Sequence, residues 1–260
     1  MKPETAEEPS VIIPEDIEVV VVREKQKTVD VSAWIPKTDI GKKVKAGEIT
    51  DIDELFGKGF TVREAEIVDV LIPTLENDLL LIGQAKGKFG GGKRRVFRQT
   101  QKKTREGNKP HFAALMVVGN RNGYVGMGLG KAKETVPARE KAGRNARVNV
   151  IKIRRGCGSW ACACGTAHTI PFKVMGKAGS VTVELIPAPK GTGLVAEEEC
   201  QKILKLAGIQ DVWSKARGTT TTKINLVNAC FNALKELTKV KVSQELGEKL
   251  SMQEGVLKHD

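Results

Sequence analysis

The sequence predicts an α+β protein in two domains. Three observations carry the prediction. The chain's 260 residues are enough for two cores. A hairpin followed by a helix occurs twice, once between His111 and Ile153 and again between Thr169 and Gly208. The charge also changes abruptly along the chain. Residues 1–85 carry 10 basic and 18 acidic side chains, residues 86–155 carry 20 and 3, and residues 156–260 carry 13 and 10. The division that follows is an N-terminal extension at 1–36, a first domain at 37–155, a second at 156–240 and a polar tail at 241–260.

In chain order, "PEDIEVVVVREKQ" has strand character but follows an acidic, Pro-containing start, so residues 1–36 read as an extension. Ile52, Leu55 and Phe56 fall at helical spacing, with Asp51 as cap and Gly57 and Gly59 as stop signals. A second apolar set, Ile67, Val68, Leu71 and Ile72, ends at Pro73. The Gly-rich "GKFGGG" leads into the charged, alternating "KRRVFRQTQKKTREGNKP". "HFAALMVVGN" is apolar without a break, as a strand buried on both faces must be. "NRNG" at 120–123 supplies turn residues that tolerate positive φ, and the return strand "GYVGMGLGKA" alternates Gly126, Gly128 and Gly130 with Val125, Met127 and Leu129. One face of that strand is therefore bare backbone, which something must approach closely. A helix follows, with Pro137 in its first turn and Ala138, Ala142 and Ala146 as a small-residue stripe for packing on the sheet.

The second unit opens with a hairpin in "TIPFKVMGKAGSVTVELIPAP", its turn at Gly176 to Gly179. The helix after it has Glu197 to Glu199 at its positive end and stops at Gly208. "IQDVWSKARG" is a strand and loop, and the last helix turns Val227, Cys230, Phe231, Leu234 and Leu237 inward.

The net charge of +12 arises from residues 86–155, whose own balance is +17. A block of one sign on a chain with only 4% aromatic residues is the footprint of a nucleic-acid binder. No run of about 18 apolar residues is present to span a bilayer, and the N-terminus "MKPETAEEPS" is acidic where a signal peptide is basic, which predicts a cytoplasmic protein without membrane contact.

Three motifs require separate weighing. Lys131 after Gly130 is not followed by the hydroxyl that a Walker loop needs for magnesium, and GxGxxG fails because residue 131 is not glycine. The strand glycines then either serve packing alone or form a grip on RNA backbone, with Lys131 and Lys133 beside the helix start. "PAPKGTGLVAEE" resembles the phosphate loop of small-molecule kinases of the galactokinase and homoserine kinase type at Pro189, Gly193 and Leu194, but Val195, Ala196 and Glu197 replace the serines and the acidic run repels a triphosphate. Finally, Cys157, Cys162, Cys164 and His168 supply four soft ligands in a tight glycine-containing loop, a candidate zinc site, against the plain alternative of reduced thiols beside a strand. Cys200 and Cys230 lie on helix faces as core residues.

The stretches "FAALMVVGNRNGYVGMGLGKAKE", "IPAPKGTGL" and "AGIQDVWSKARG" resemble the small-subunit ribosomal protein five family in its archaeal type, over residues 37 to 240. The resemblance implies a double-stranded-RNA-binding-like domain, a sheet with helices on one face, followed by a split βαβ domain of the kind shared with those kinases. It implies a ribonucleoprotein component and not an enzyme: a protein that holds small-subunit ribosomal RNA near the path by which messenger RNA enters, beside ribosomal proteins three, four and eight, and that influences decoding accuracy. On this chain the implied RNA-binding residues are Asn120, Arg121, Asn122, Gly123, Gly126, Gly128, Gly130, Lys131 and Lys133, supported by Arg94, Arg95 and Arg98. The insertion "QTQKKTREGNKPH" and the cysteine loop depart from the bacterial pattern, so the zinc expectation rests on this chain's own spacing. A kinase and a free-standing RNA-binding protein are the competing functions.

Overall fold

A computed structural model describes residues 34–84 and 94–255. The strand-like "PEDIEVVVVREKQ" and the whole of "GKFGGG" lie outside the described residues. The chain runs through α1 (Asp39–Lys45), α2 (Ile52–Gly57), α3 (Ala65–Leu71), β1 (Glu76–Leu79), β2 (Arg98–Thr104), β3 (Gly107–Gly119), β4 (Tyr124–Ala132), α4 (Thr135–Val148), β5 (Val150–Lys152) and β6 (Arg154–Arg155). It continues through β7 (Val174–Ala178), β8 (Val181–Pro187), β9 (Leu194–Val195), α5 (Glu198–Ala207), β10 (Val212–Arg217), α6 (Lys223–Lys239), α7 (Gln244–Lys249) and β11 (Gln253–Glu254).

The first sheet has the order β1-β3-β4-β5, all antiparallel, with β2 on the same edge of β3 as β1 but further toward its start. From Phe112 onward strand β3 is apolar at both parities and is buried on both faces. Ala114, Met116 and Val118 face α1–α3 and α4, while Leu115 and Val117 face α5. Helices therefore cover one face of this sheet, as the resemblance implies, and the second unit covers the other.

The second sheet, β7-β8-β10-β9, pairs β9 with β10 in parallel across the intervening α5 and otherwise runs antiparallel. Helix α6 turns Val227, Cys230, Phe231, Leu234 and Leu237 into it. The turn of the second hairpin is at Gly179, which has φ +60°, whereas Gly176 sits within β7 against the Ala229 and Ala233 backbone of α6.

The expectation of a separate core for each domain requires correction. One cluster belongs to the first unit, from Trp34 and Leu55 to Ala146 and Val150. The other is shared. Leu80, Ile82, Leu115, Val117, Val125 and Met127 of the first sheet are continuous with Ile203, Leu204 and Leu206 of α5 and with the α6 residues. The segment read as a polar tail holds α7 and β11, and β11 returns to pair antiparallel with β6.

Candidate nucleic-acid interface and metal centre

The far end of the first sheet is left uncovered and carries the charge excess. Cross-strand partners project from the same face. Arg98, Ala113 and Lys131 form one such row across β2, β3 and β4, and Lys102 and Lys109 form a parallel row nearer the β2–β3 turn. Adjacent strands are about 4.8 Å apart and alternate residues about 6.8 Å apart, so this face presents cations on a grid comparable to phosphate spacing. Arg95, Arg98, Lys102, Lys103, Arg105, Lys131, Lys133, Lys141 and Arg144 are all exposed. Lys109 pairs with Glu106 at 2.9 Å, the single acid of the β2–β3 arm. Arg94 is half-buried and donates to the Thr221 carbonyl at 3.3 Å. Its neighbours thus reach outward while Arg94 itself ties the arm to the second unit. The alternating charges of "RQTQKKTREGNKPH" are the sequence signal for Lys102, Arg105 and Lys109, which lie outside the family-like motifs.

The glycine strand is not open to a ligand. Gly126, Gly128 and Gly130 face α4, where a Cβ on any of them would collide with the backbone of Ala138, Ala142 or Ala146. Those alanines are fully buried, and Asn145 Nδ2 donates to the Leu129 carbonyl at 2.8 Å. The bare face expected to receive phosphates is therefore the seat of the chain's own helix, and packing accounts for all three glycines. The opposite face of β4 ends in Leu129 and Lys131, both exposed.

The turn expected to grip RNA is also engaged internally. The positive φ angles fall on Arg121 (+55°) and Gly123 (+91°) and on neither asparagine of the turn. Asn120 Oδ1 accepts from the amides of Asn122 (2.8 Å) and Tyr124 (3.1 Å). The amides of Arg121 and Gly123 donate to the terminal α5 carbonyls of Leu206 (2.9 Å) and Ala207 (3.1 Å). Asn122 Oδ1 accepts from Arg155 Nη2 at 2.7 Å. Only the Arg121 side chain points to solvent, and it pairs with Glu76 at 2.8 Å. The amides of Arg121 and Gly123 thus fasten the turn to the second unit, while Asn120 holds the turn's own shape.

Beyond β6 the cysteine loop brings its four residues to one point. Cys157 Sγ lies 3.6 Å from Cys164 Sγ, Cys162 Sγ lies 3.7 Å from His168 Nε2, and all four ligand atoms are within 4.8 Å of one another. A sulfur–sulfur distance of 3.6 Å is far from a disulfide bond of about 2.05 Å. Tetrahedral zinc, with Zn–S about 2.3 Å and Zn–N about 2.0 Å, requires ligand separations of about 3.5–3.8 Å. The set fits. Burial pushes the Cys157 thiol up to about 11, and hydrogen bonds with Thr166 pull Cys164 down to about 6. These four side chains are placed to hold a metal ion. His168 is itself held from behind by Asp211, whose Oδ2 is 2.7 Å from Nδ1, a contact 43 residues away in sequence that no local spacing announced.

The kinase-like loop is closed by the same carboxylate. Gly191 and Gly193, whose amides would have to cradle a phosphate, donate to Asp211 Oδ1 at 3.1 and 2.8 Å. No nucleotide cradle remains there.

A sheet with helices on one face, an uncovered basic end and a second unit of mixed sheet and helix define an RNA-associated α+β protein, and the sequence comparisons agree. Residues 81–154 match the family model for the ribosomal protein S5 N-terminal domain, and residues 176–247 match that for the ribosomal protein S5 C-terminal domain. Small ribosomal subunit protein uS5 of Nanoarchaeum equitans is 50% identical over 82% of this chain and 92% of its own length. That of Methanobrevibacter smithii is 50% identical over 83% and 94%, and that of Methanocaldococcus jannaschii 46% identical over 87% and 97%. The chain belongs to the small ribosomal subunit protein uS5 family, in its archaeal form. It is a structural protein of the small ribosomal subunit and not an enzyme. Among the described residues no helix is long and apolar enough to cross a membrane.

Proposed function

We propose that the chain binds small-subunit ribosomal RNA through the uncovered basic end of its first sheet, near the path by which messenger RNA enters and beside ribosomal proteins three, four and eight, and that it supports subunit assembly and decoding accuracy. The observation that carries the RNA surface is the cation grid centred on Arg98 and Lys131, with Arg95, Lys102 and Lys133 around it and no ion-pair partner for any of these five among the described residues. Binding of this kind is driven by counterion release and reads shape, because backbone phosphates carry no base identity. Gly126, Gly128 and Gly130 contribute by letting α4 lie close and by leaving Lys131 and Lys133 at the sheet's open edge.

The test is a filter-binding titration of small-subunit RNA at several salt concentrations. With about six to ten phosphates neutralised, affinity falls by three to five orders of magnitude between 50 and 200 mM salt. Arg98→Ala and Lys131→Ala each lower the salt slope by about one. A slope that does not change in either variant removes the grid from the interface. Co-sedimentation with small subunits through a gradient separates this reading from a free-standing RNA-binding protein.

The same proposal takes the metal at Cys157, Cys162, Cys164 and His168 to be zinc, which the thiolate-rich donor set favours over harder cations. Elemental analysis of protein purified under reducing conditions tests it, with one zinc per chain expected.

A further inference from the structure

The metal reading leaves open why a cluster of three thiols should recruit one particular histidine nitrogen. Imidazole binds a metal only through a nitrogen that carries no proton, and in water a neutral histidine prefers to hold its proton on Nε2. Nε2 is the nitrogen that faces the thiols here, 3.7 Å from Cys162 Sγ. The side chain must therefore be forced into its less favoured tautomer before it can serve.

The geometry points to Asp211 as the positioning residue of this metal centre: it holds the proton of His168 on Nδ1 and so keeps Nε2 free for the ion before the ion arrives. Nδ1 is 2.7 Å from Asp211 Oδ2, and both side chains are almost wholly buried. The other oxygen, Oδ1, already accepts two backbone amides, from Gly191 and Gly193. Two backbone donors converging on one oxygen fix the carboxylate so that Oδ2 faces Nδ1 as an acceptor. The hydrogen of the Asp211–His168 contact then belongs to Nδ1–H, donating to Oδ2. Neither residue is free to turn away, because the amides of Gln210 (2.9 Å) and Asp211 (3.3 Å) both donate to the His168 carbonyl, and the Thr169 hydroxyl donates to the Asp211 carbonyl. The carboxylate also fixes the orientation of the ring toward the thiols. Asp211 thereby joins the metal loop to the Pro189–Gly193 loop, so that a single side chain supports both.

This inference rests on the zinc reading, and the experiment separates the two. In the full chain, Asp211→Asn keeps an oxygen for the Gly191 and Gly193 amides but turns an N–H toward Nδ1, so His168 must accept there and carry its proton on Nε2. Zinc affinity, measured by competition with a chelator under reducing conditions, is expected to fall by about 10- to 100-fold, the usual cost of removing such a partner. Nitrogen-15 NMR of the His168 ring in metal-free protein is expected to show protonated Nδ1 in the native sequence and protonated Nε2 in the variant. A ring protonated on Nε2 in the native metal-free protein overturns the inference, and that measurement decides it even where the variant does not fold. Unchanged affinity and unchanged tautomer in Asp211→Asn overturn it as well. If native protein holds no zinc at all, the zinc reading fails and the inference fails with it; if zinc is bound but indifferent to Asp211, only the inference fails.

Discussion

At the scale of single residues, the chain repeatedly places glycine where another backbone must come within contact distance. Gly128 is the sharpest case, since a side chain there meets the main chain of Asn145 and Ala146 and the Ala142 carbonyl, none of which can rotate aside. Gly128→Val is therefore expected to cost more than about 4 kcal/mol, or to abolish folding, whereas Ala138→Ser adds one small atom and costs about 1–2 kcal/mol. Denaturant unfolding monitored by circular dichroism measures both. Equal midpoints for the two variants would show that α4 does not sit on that strand. Arg155 is a residue of another kind. The residue is 1% exposed and has no carboxylate partner among the described residues, donating to Asn122 Oδ1 and to the Gly255 carbonyl at 2.7 Å each. Burial pulls its pKa down to about 10. It remains a cation at neutral pH, held by dipoles alone. Arg155→Ala leaves buried acceptors without donors, each worth about 1–3 kcal/mol, and is expected to lower the melting temperature without altering the RNA salt slope.

At the scale of elements, most of the periodic pieces were legible. The continuous apolar run of β3, the alanine stripe of α4, the Gly208 stop of α5 and the inward face of α6 were written in local pattern, and each stands in the structure. Helix α1 and strand β1 went unread because their apolar content is too thin to show a period. What no local pattern could say was which surface the glycines of β4 would meet, since bare backbone suits a helix as well as a ligand. The same device recurs at Gly176 under Ala229 and Ala233 of α6, a parallel visible only once both sheets are built. The metal set was legible because its four ligands are local; Asp211 was not, being remote. The cysteine loop also carries the returning C-terminal segment, with the Cys157 amide donating to the Leu250 carbonyl at 2.8 Å and Gly156 packed on Leu250 and Met252. Chelation of the metal under reducing conditions is thus expected to speed amide exchange across β11 and its flanks, from Met252 to Gly255, by at least an order of magnitude while β3 stays protected. Exchange that is the same with and without metal would mean that the segment is held by β6 alone.

At the scale of the whole molecule, the two family domains are not two independent bodies. The first sheet is covered on one side by its own helices and on the other by α5, and the shared cluster runs from Leu80 to Leu237. Unfolding in urea is expected to give one transition, coincident by circular dichroism and by fluorescence of Trp34 and Trp213, which lie in different units. Two separated transitions would contradict the common core. The charge distribution follows the same plan, with the basic end of the sheet standing clear of the junction, where the turn at Asn120–Gly123 is locked to the end of α5.

That lock has a temporal side. Translation delivers the amino-terminal half first, yet Leu115, Val117, Val125 and Met127 lack their cover until α5 has emerged, roughly eighty residues later. On a growing polypeptide, the face of the first sheet that bears these four side chains is covered only after its younger neighbour has been made.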